Sequence, residues 1–228
     1  MRLLAALLAL TPALAAAQAT QHAGNAADPD RQVAGGLKVP GWTAHFDRPG
    51  AAATAVTFIP MGTGYHVVAG PAAIYFDPSK TASGAYAVRA SFTQTKAPAH
   101  PEAYGLFVGG QDLTGDAARY LYFIVRGDGK YAIKQRAGAN DVRSIADWTA
   151  SPALHTADAA GKATNMLRIQ VAADSVRFYA NDRQVAALAA ATTGPLAGVA
   201  GFRVNHNLDV HIDNFAVTSG AGRTASSR

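Results

Sequence analysis

The sequence predicts an all-β fold built as a sandwich of antiparallel sheets. Three observations carry this. From about Gly35 to Val217 the chain is a succession of short runs rich in Val, Ile, Tyr and Phe, broken by Gly, Pro, Asn and Asp. No long segment has the 3.6-residue period of an amphipathic helix, and no period marks a solenoid or propeller. Three candidate hairpins each separate into an apolar and a polar side, as sheets packed on one face require.

In chain order the expected strands are Thr54–Ile59, Tyr65–Val68, Ala72–Phe76, Ala85–Thr95, Tyr104–Val108 and Arg119–Val125. They continue with Lys130–Arg136, Met166–Val171, Ser175–Ala180, Gln184–Ala187, Gly201–Val204 and Asp209–Val217. Ala186–Ala191 has helical propensity, yet it is too short and too weakly amphipathic to change the class. Gly105, Gly109 and Gly110 are followed by no helix, so they form no phosphate-binding fingerprint and are expected to bend or bulge a strand. No cofactor is expected.

Register follows from the turns. Gly127-Asp128-Gly129 suits a three-residue loop with Gly129 left-handed, which sets Val125 opposite Tyr131, Phe123 opposite Ile133 and Leu121 opposite Gln135. The other side then carries Tyr120, Tyr122, Ile124, Ala132, Lys134 and Arg136. A two-residue turn would place Leu121 beside Lys134 and bury charge among apolar groups, so the three-residue version is preferred. Ala172–Ser175 joins a second pair of runs, with Val171 opposite Val176, Ile169 opposite Phe178, Gln170 opposite Arg177 and Arg168 opposite Tyr179. A third hairpin is expected to set Arg203 and Asn205 against Asp209, His211 and Asp213 in a polar ladder.

The ends decide the compartment. Met1-Arg2, an apolar run Leu3–Leu10 and small residues ending Ala17-Gln18-Ala19 read as a secretory signal peptide, residues 1–19. The run is too short for a spanning helix, which needs ~20 apolar residues. No transmembrane segment is expected, and the mature protein is expected to be periplasmic or secreted. Residues 20–34 and 219–228 are small and polar and are expected to be mobile tails around a domain at 35–218. The chain has no cysteine, so burial alone must hold it in an oxidising compartment.

Composition also narrows the chemistry. Twenty basic residues exceed 15 acidic ones, but they are scattered singly, without the stripe that nucleic-acid binding needs. Fourteen of the acids are Asp, and the only Glu is Glu102, in the loop Ala97–Glu102. A paired-Glu glycosidase site is therefore impossible. There is no Gly-x-Ser-x-Gly elbow and no thiol nucleophile. Asp209, His211 and Asp213, at i, i+2 and i+4 on one strand face, are weak metal candidates, because same-face neighbours lie ~7 Å apart and one ion would need a curved strand to reach all three. His45, His66, His100 and His155 are dispersed singly and are expected to be structural or surface residues.

The expected ligand face is Tyr120, Tyr122, Lys134 and Arg136, with Trp148 in the loop Ser144–Ser151 as a roof. Aromatic rings cover the apolar face of a pyranose, and flexible cations bond its hydroxyls or carboxylates.

The stretches Tyr120–Tyr131, Val176–Asp182, Gly198–Val204 and Asp209–Val217 resemble the concanavalin A-like lectin/glucanase superfamily, with laminin-G-like and bacterial 3-keto-disaccharide-hydrolase-like members nearest in feel. The resemblance spans about Ala72 to Val217. It implies a two-sheet antiparallel jelly-roll sandwich whose curved sheet holds carbohydrate in many relatives. The expected function is an exported, non-catalytic protein that binds glycan or envelope polysaccharide. One alternative is a carbohydrate-active hydrolase or lyase using Asp, His or Tyr in the concave cleft. Another is a structural, protein-interaction module.

Overall fold

The structure, a computed structural model, describes residues 29–220. The expected signal peptide, residues 1–19, residues 20–28 of the expected N-terminal tail and residues 221–228 lie outside the described residues. The strands are β1 (Gly36–Leu37), β2 (Thr43–Phe46), β3 (Val56–Met61), β4 (Gly64–Ala69), β5 (Ala73–Ala82), β6 (Tyr86–Gln94), β7 (Ala103–Gln111) and β8 (Arg119–Arg126). There follow β9 (Lys130–Ala137), β10 (Val142–Ala150), β11 (Ala163–Val171), β12 (Ser175–Ala180), β13 (Arg183–Ala189), β14 (Gly198–Val204) and β15 (Asp209–Ser219). The only α-helical piece among the described residues is one turn, α1 (Ala190–Thr193). No helix among the described residues is long and apolar enough to cross a membrane.

Two sheets result. One has eight strands in the order β1-β3-β4-β15-β6-β11-β12-β13, the other seven in the order β10-β9-β8-β7-β14-β5-β2. All pairings are antiparallel except β1 with β3. The apolar sides of both sheets meet in a core of fully buried rings, among them Phe58, Phe92, Phe123, Phe178, Phe202, Tyr75 and Tyr104. Burying such rings is the main favourable term in folding a chain that has no disulfide.

Two of the three expected hairpins form as the turn chemistry dictates. Val125 pairs with Tyr131, Phe123 with Ile133 and Leu121 with Gln135, and Gly129 takes φ +78°. Val171 pairs with Val176, Ile169 with Phe178 and Arg168 with Tyr179. The Arg168 guanidinium lies 3.7 Å from the Tyr179 ring centre.

The third hairpin does not form. β14 belongs to the seven-stranded sheet and β15 to the eight-stranded one, so the connection Asn205–Leu208 crosses between layers. Their apolar sides face each other across the core, which gives the same alternation as a hairpin. Arg203 and Asn205 consequently point away from Asp209 and Asp213, and the expected ladder between them is absent.

The strands that the sequence pattern does not reveal are β1, β2 and β10, and each is a sheet edge. An edge strand is paired on one side and packed on little, so its sequence need not alternate. Ala186–Ala191 likewise divides between the end of edge strand β13 and the single turn α1.

The chain is already anchored before Gly35. Arg31 donates from its backbone N to Asn207 Oδ1 at 2.5 Å, Asn207 Nδ2 donates to the Pro29 carbonyl at 3.0 Å, and Asp30 pairs with Arg48 at 3.0 Å.

Two glycine features shape the seven-stranded sheet. Gly109, at φ +66°, sits in a bulge between Val108 and Gln111. Gly105 lies between Ile124 and Arg203 across neighbouring strands, and a Cβ there would come 2.0 Å from the Phe123 carbonyl oxygen. Gly105→Ala must therefore displace backbone, and a loss of ~1–3 kcal/mol in chemical denaturation is expected. An unchanged midpoint would contradict the close approach.

Candidate functional site

The seven-stranded sheet has a second layer on its outer face, away from the core. Ile74, Phe76, Phe107, Tyr120, Tyr122 and Ile124 cluster there, with Trp148 packed against them. The hairpin phase read from Asp128 is thus the phase observed: Tyr120 and Tyr122 emerge opposite Leu121 and Phe123, with Arg136 and Lys134 as their cross-strand partners.

This face is concave, and one ion pair shows how strongly. Arg136 is on β9 and Asp47 lies one residue past β2, five strand positions away. In a flat sheet that separation would be ~24 Å. Arg136 Nη2 nevertheless lies 2.8 Å from Asp47 Oδ1. An arginine and an aspartate cannot span the flat distance, so the sheet curls until its two flanks approach each other.

The pair belongs to a larger network. Arg203 on β14 also grips Asp47, through Nη1 at 3.1 Å and through a shorter Nη2 contact. Arg136 Nε donates to the Tyr120 hydroxyl at 3.1 Å, and Arg203 Nη1 reaches the same oxygen at 3.4 Å. Arg136 also donates to the carbonyls of Gly138 and Ala139. Burial pushes the Asp47 carboxyl up, but the charge and hydrogen bonds of Arg203 and the charge of Arg136 outweigh it and hold it below the usual range. Burial, then Arg136, lowers the neighbouring His45. Arg203 continues outward, donating from Nε to Asn205 Oδ1, and Asn205 donates to Glu102, which also meets His206 Nε2 at 2.8 Å.

The expected ligand residues therefore divide into two groups. Tyr120 and Arg136 are 2% and 6% exposed and mutually satisfied, so they are supports of the face and not free contacts. The expectation that Arg136 offers free donors is corrected: Asp47, whose position 89 residues away gave no local signal, already holds it. Tyr122 is also buried, beneath the Arg203 guanidinium at 5.2 Å, and desolvation pushes its hydroxyl up to about 12.

Lys134 and Trp148 are half-buried toward the β9–β10 edge of this face. Lys134 Nζ has no hydrogen bond or ion pair among the described residues and lies 6.0 Å from the Trp148 ring centre. Burial, then the charge of Arg203, lowers its pKa. Trp148 is not in a loop, as expected, but on edge strand β10, where register shifts around Ala146 and Thr149 turn it onto this face. A second cation, Arg126, sits 4.3 Å from the same ring, held by Asp128 at 2.5 Å. Sequence reasoning passed over Arg126, although its place on the Tyr120–Tyr122 side of β8 follows from the same alternation.

Asp209, His211 and Asp213 lie on the outer face of the other sheet and separate into two pairs. Asp209 is held by Lys96 at 2.9 Å, Thr95 at 2.7 Å and His66 at 3.2 Å, while His211 meets Asp213 at 3.0 Å. Among the described residues no three His, Cys, Asp or Glu side chains converge as a metal site. Strand spacing keeps Asp209 and Asp213 apart, and each already has a partner.

No protein-family model and no curated protein matches the chain. Solved structures do. A carbohydrate-binding module, CBM66, of Bacillus subtilis superposes with a TM-score of 0.59 at 15% identity, covering 83% of this chain and all of that one. A Bacillus subtilis protein of unknown function with a galectin-like fold gives 0.58 at 14% identity over 80% of this chain and 90% of that one. A glycoside hydrolase family 16 endo-glucanase of Bacteroides ovatus gives 0.52 at 9% identity over 79% of this chain and 96% of that one. In its fold the chain is a concanavalin A-like two-sheet jelly roll, the architecture of the lectin/glucanase superfamily that its strands and turns resemble.

Proposed function

We propose that this protein is an exported, non-catalytic β-sandwich that binds a glycan or cell-envelope polysaccharide on the concave face of its seven-stranded sheet. The observation that carries the reading is the β9–β10 edge of that face, where the half-buried Trp148 ring and Lys134, which has no hydrogen bond or ion pair among the described residues, lie together on a curved surface away from the layer between the sheets. An aromatic ring beside polar donors is the elementary requirement for holding a pyranose. The likeness to a carbohydrate-binding module supports the same ligand class. Export rests on the pattern of residues 1–19.

The non-catalytic part draws on the carboxylates. Hydrolysis of a glycosidic bond uses two of them, one as acid and one as base or nucleophile. Asp47 is clamped between two arginines, and Glu102 is taken by Asn205 and His206. Of the carboxylates nearer Trp148, Asp128 is held by Arg126, and Asp147 accepts a hydrogen bond from Ser144 and supplies only one of the two groups that hydrolysis needs.

A glycan array followed by product analysis tests both parts. Binding without release of shorter sugars is expected, and Trp148→Ala should weaken it by roughly tenfold or more, while the protein stays folded. Release of oligosaccharides would sink the non-catalytic claim. Retention of a protein partner with no glycan bound would favour an interaction module instead.

A further inference from the structure

Resting on the glycan-binding reading above, we infer that the ligand is an anionic saccharide, whose carboxylate or sulfate pairs with Lys134 while its ring lies at Trp148. The charge inventory of the concave face leads there. Three cations, Arg136, Arg203 and Lys134, project onto this face, and one carboxylate, Asp47, answers them. Arg126 is neutralised by Asp128. Asp116 and Asp147 flank the face but are exposed, and neither forms an ion pair among the described residues. The layer beneath is apolar, made of Phe107, Tyr122, Ile124 and Ala132. A half-buried cation there loses hydration, and the Trp148 ring at 6.0 Å and the exposed Asp147, with which it forms no ion pair, replace it only in part, which leaves it short of counter-charge.

Geometry decides which anion fits. Lys134 presents a compact ammonium with three donors, suited to an oxyanion, and an aromatic ring stands 6.0 Å away. A small inorganic anion would leave that ring unused. A neutral sugar would leave the charge unanswered. A pyranose bearing a carboxylate or a sulfate ester meets both.

Matched polymers separate these possibilities: de-esterified against fully methyl-esterified homogalacturonan, and dextran sulfate against dextran. The wild-type protein is expected to bind a charged member of a pair and not its neutral counterpart, and the pair that discriminates identifies carboxylate or sulfate. Lys134→Gln should weaken that binding by roughly 10- to 100-fold, the range for a charged hydrogen bond. It should leave the ligand-free melting temperature equal or slightly higher, since it removes an unpaired cation. Lys80→Gln, on an exposed part of β5, controls for diffuse attraction to a basic protein. An equal loss in Lys80→Gln and Lys134→Gln would overturn the inference. Equal binding of charged and neutral polymers, unaffected by Lys134→Gln, would overturn it while leaving glycan binding intact. Failure of every polymer, across a full glycan array as well, would remove the parent reading and this inference with it.

Discussion

Asp47→Ala is expected to destabilise the protein by ~3–5 kcal/mol, the cost of breaking a buried ion pair from one side. The carboxylate answers two guanidinium groups whose side chains are only 6% and 7% exposed. Its removal leaves both cations in the curved face with only neutral partners, the Tyr120 hydroxyl for both, the Gly138 and Ala139 carbonyls for Arg136 and Asn205 for Arg203. Urea denaturation should show the loss as a lower midpoint, and melting should fall by on the order of 10 °C. Asp47→Asn separates charge from shape: it keeps hydrogen-bond acceptance through one oxygen but should still lose most of the stabilisation.

The same group gives a pH dependence with a definite sign. The folded-state pKa of Asp47 lies below its unfolded value. Its contribution is therefore fully present above about pH 4, the unfolded range, and is lost as pH falls through the depressed folded value. The difference in stability between wild type and Asp47→Ala should shrink in that acidic window. A difference independent of pH throughout would mean that Asp47 matters for shape and not for charge.

Phe202→Ala is the contrasting case, a loss of ~3–5 kcal/mol with no pH dependence. Phe202 is fully buried on β14 and touches rings from both layers: Trp42 at 4.9 Å, Phe58 at 5.8 Å, Tyr65 at 5.9 Å, Tyr75 at 5.8 Å and Phe215 at 5.7 Å. Deleting it opens a cavity where the sheets interlock, and these rings are too constrained by one another to fill it. Phe202→Leu retains most of the volume and should lose much less. Equal effects of the two substitutions would argue that packing here is loose.

The legible part of this fold was local. The Asp128 turn set the phase of β8 and β9, and with it the side on which Tyr122 and Lys134 emerge, because period-two alternation and turn length leave one register that keeps charge out of the core. The Asp174 hairpin followed for the same reason. The edge strands were hidden because they alternate weakly. The assignment of β14 and β15 to different sheets was hidden because facing layers and paired strands give the same apolar pattern.

The outer face of the seven-stranded sheet was legible in its membership and misread in its pairing. Tyr120, Tyr122, Lys134, Arg136 and Trp148 do share one face. Asp47, which turns Arg136 and Tyr120 from ligand contacts into supports, lies 89 residues from one arginine and 156 from the other. No turn or spacing rule reaches that far, and only the curvature of the sheet brings them together.

The most direct test of where this protein binds is a backbone and indole amide NMR titration with a glycan that the array identifies. Binding on the concave face should shift the Trp148 indole and the amides of β8, β9 and β10 around Tyr122 and Lys134, leaving the outer face of the eight-stranded sheet unmoved. Shifts centred instead on His66, His211 and Asp213, or on Arg168 and Tyr179, would place the ligand on the opposite side of the molecule and contradict the account.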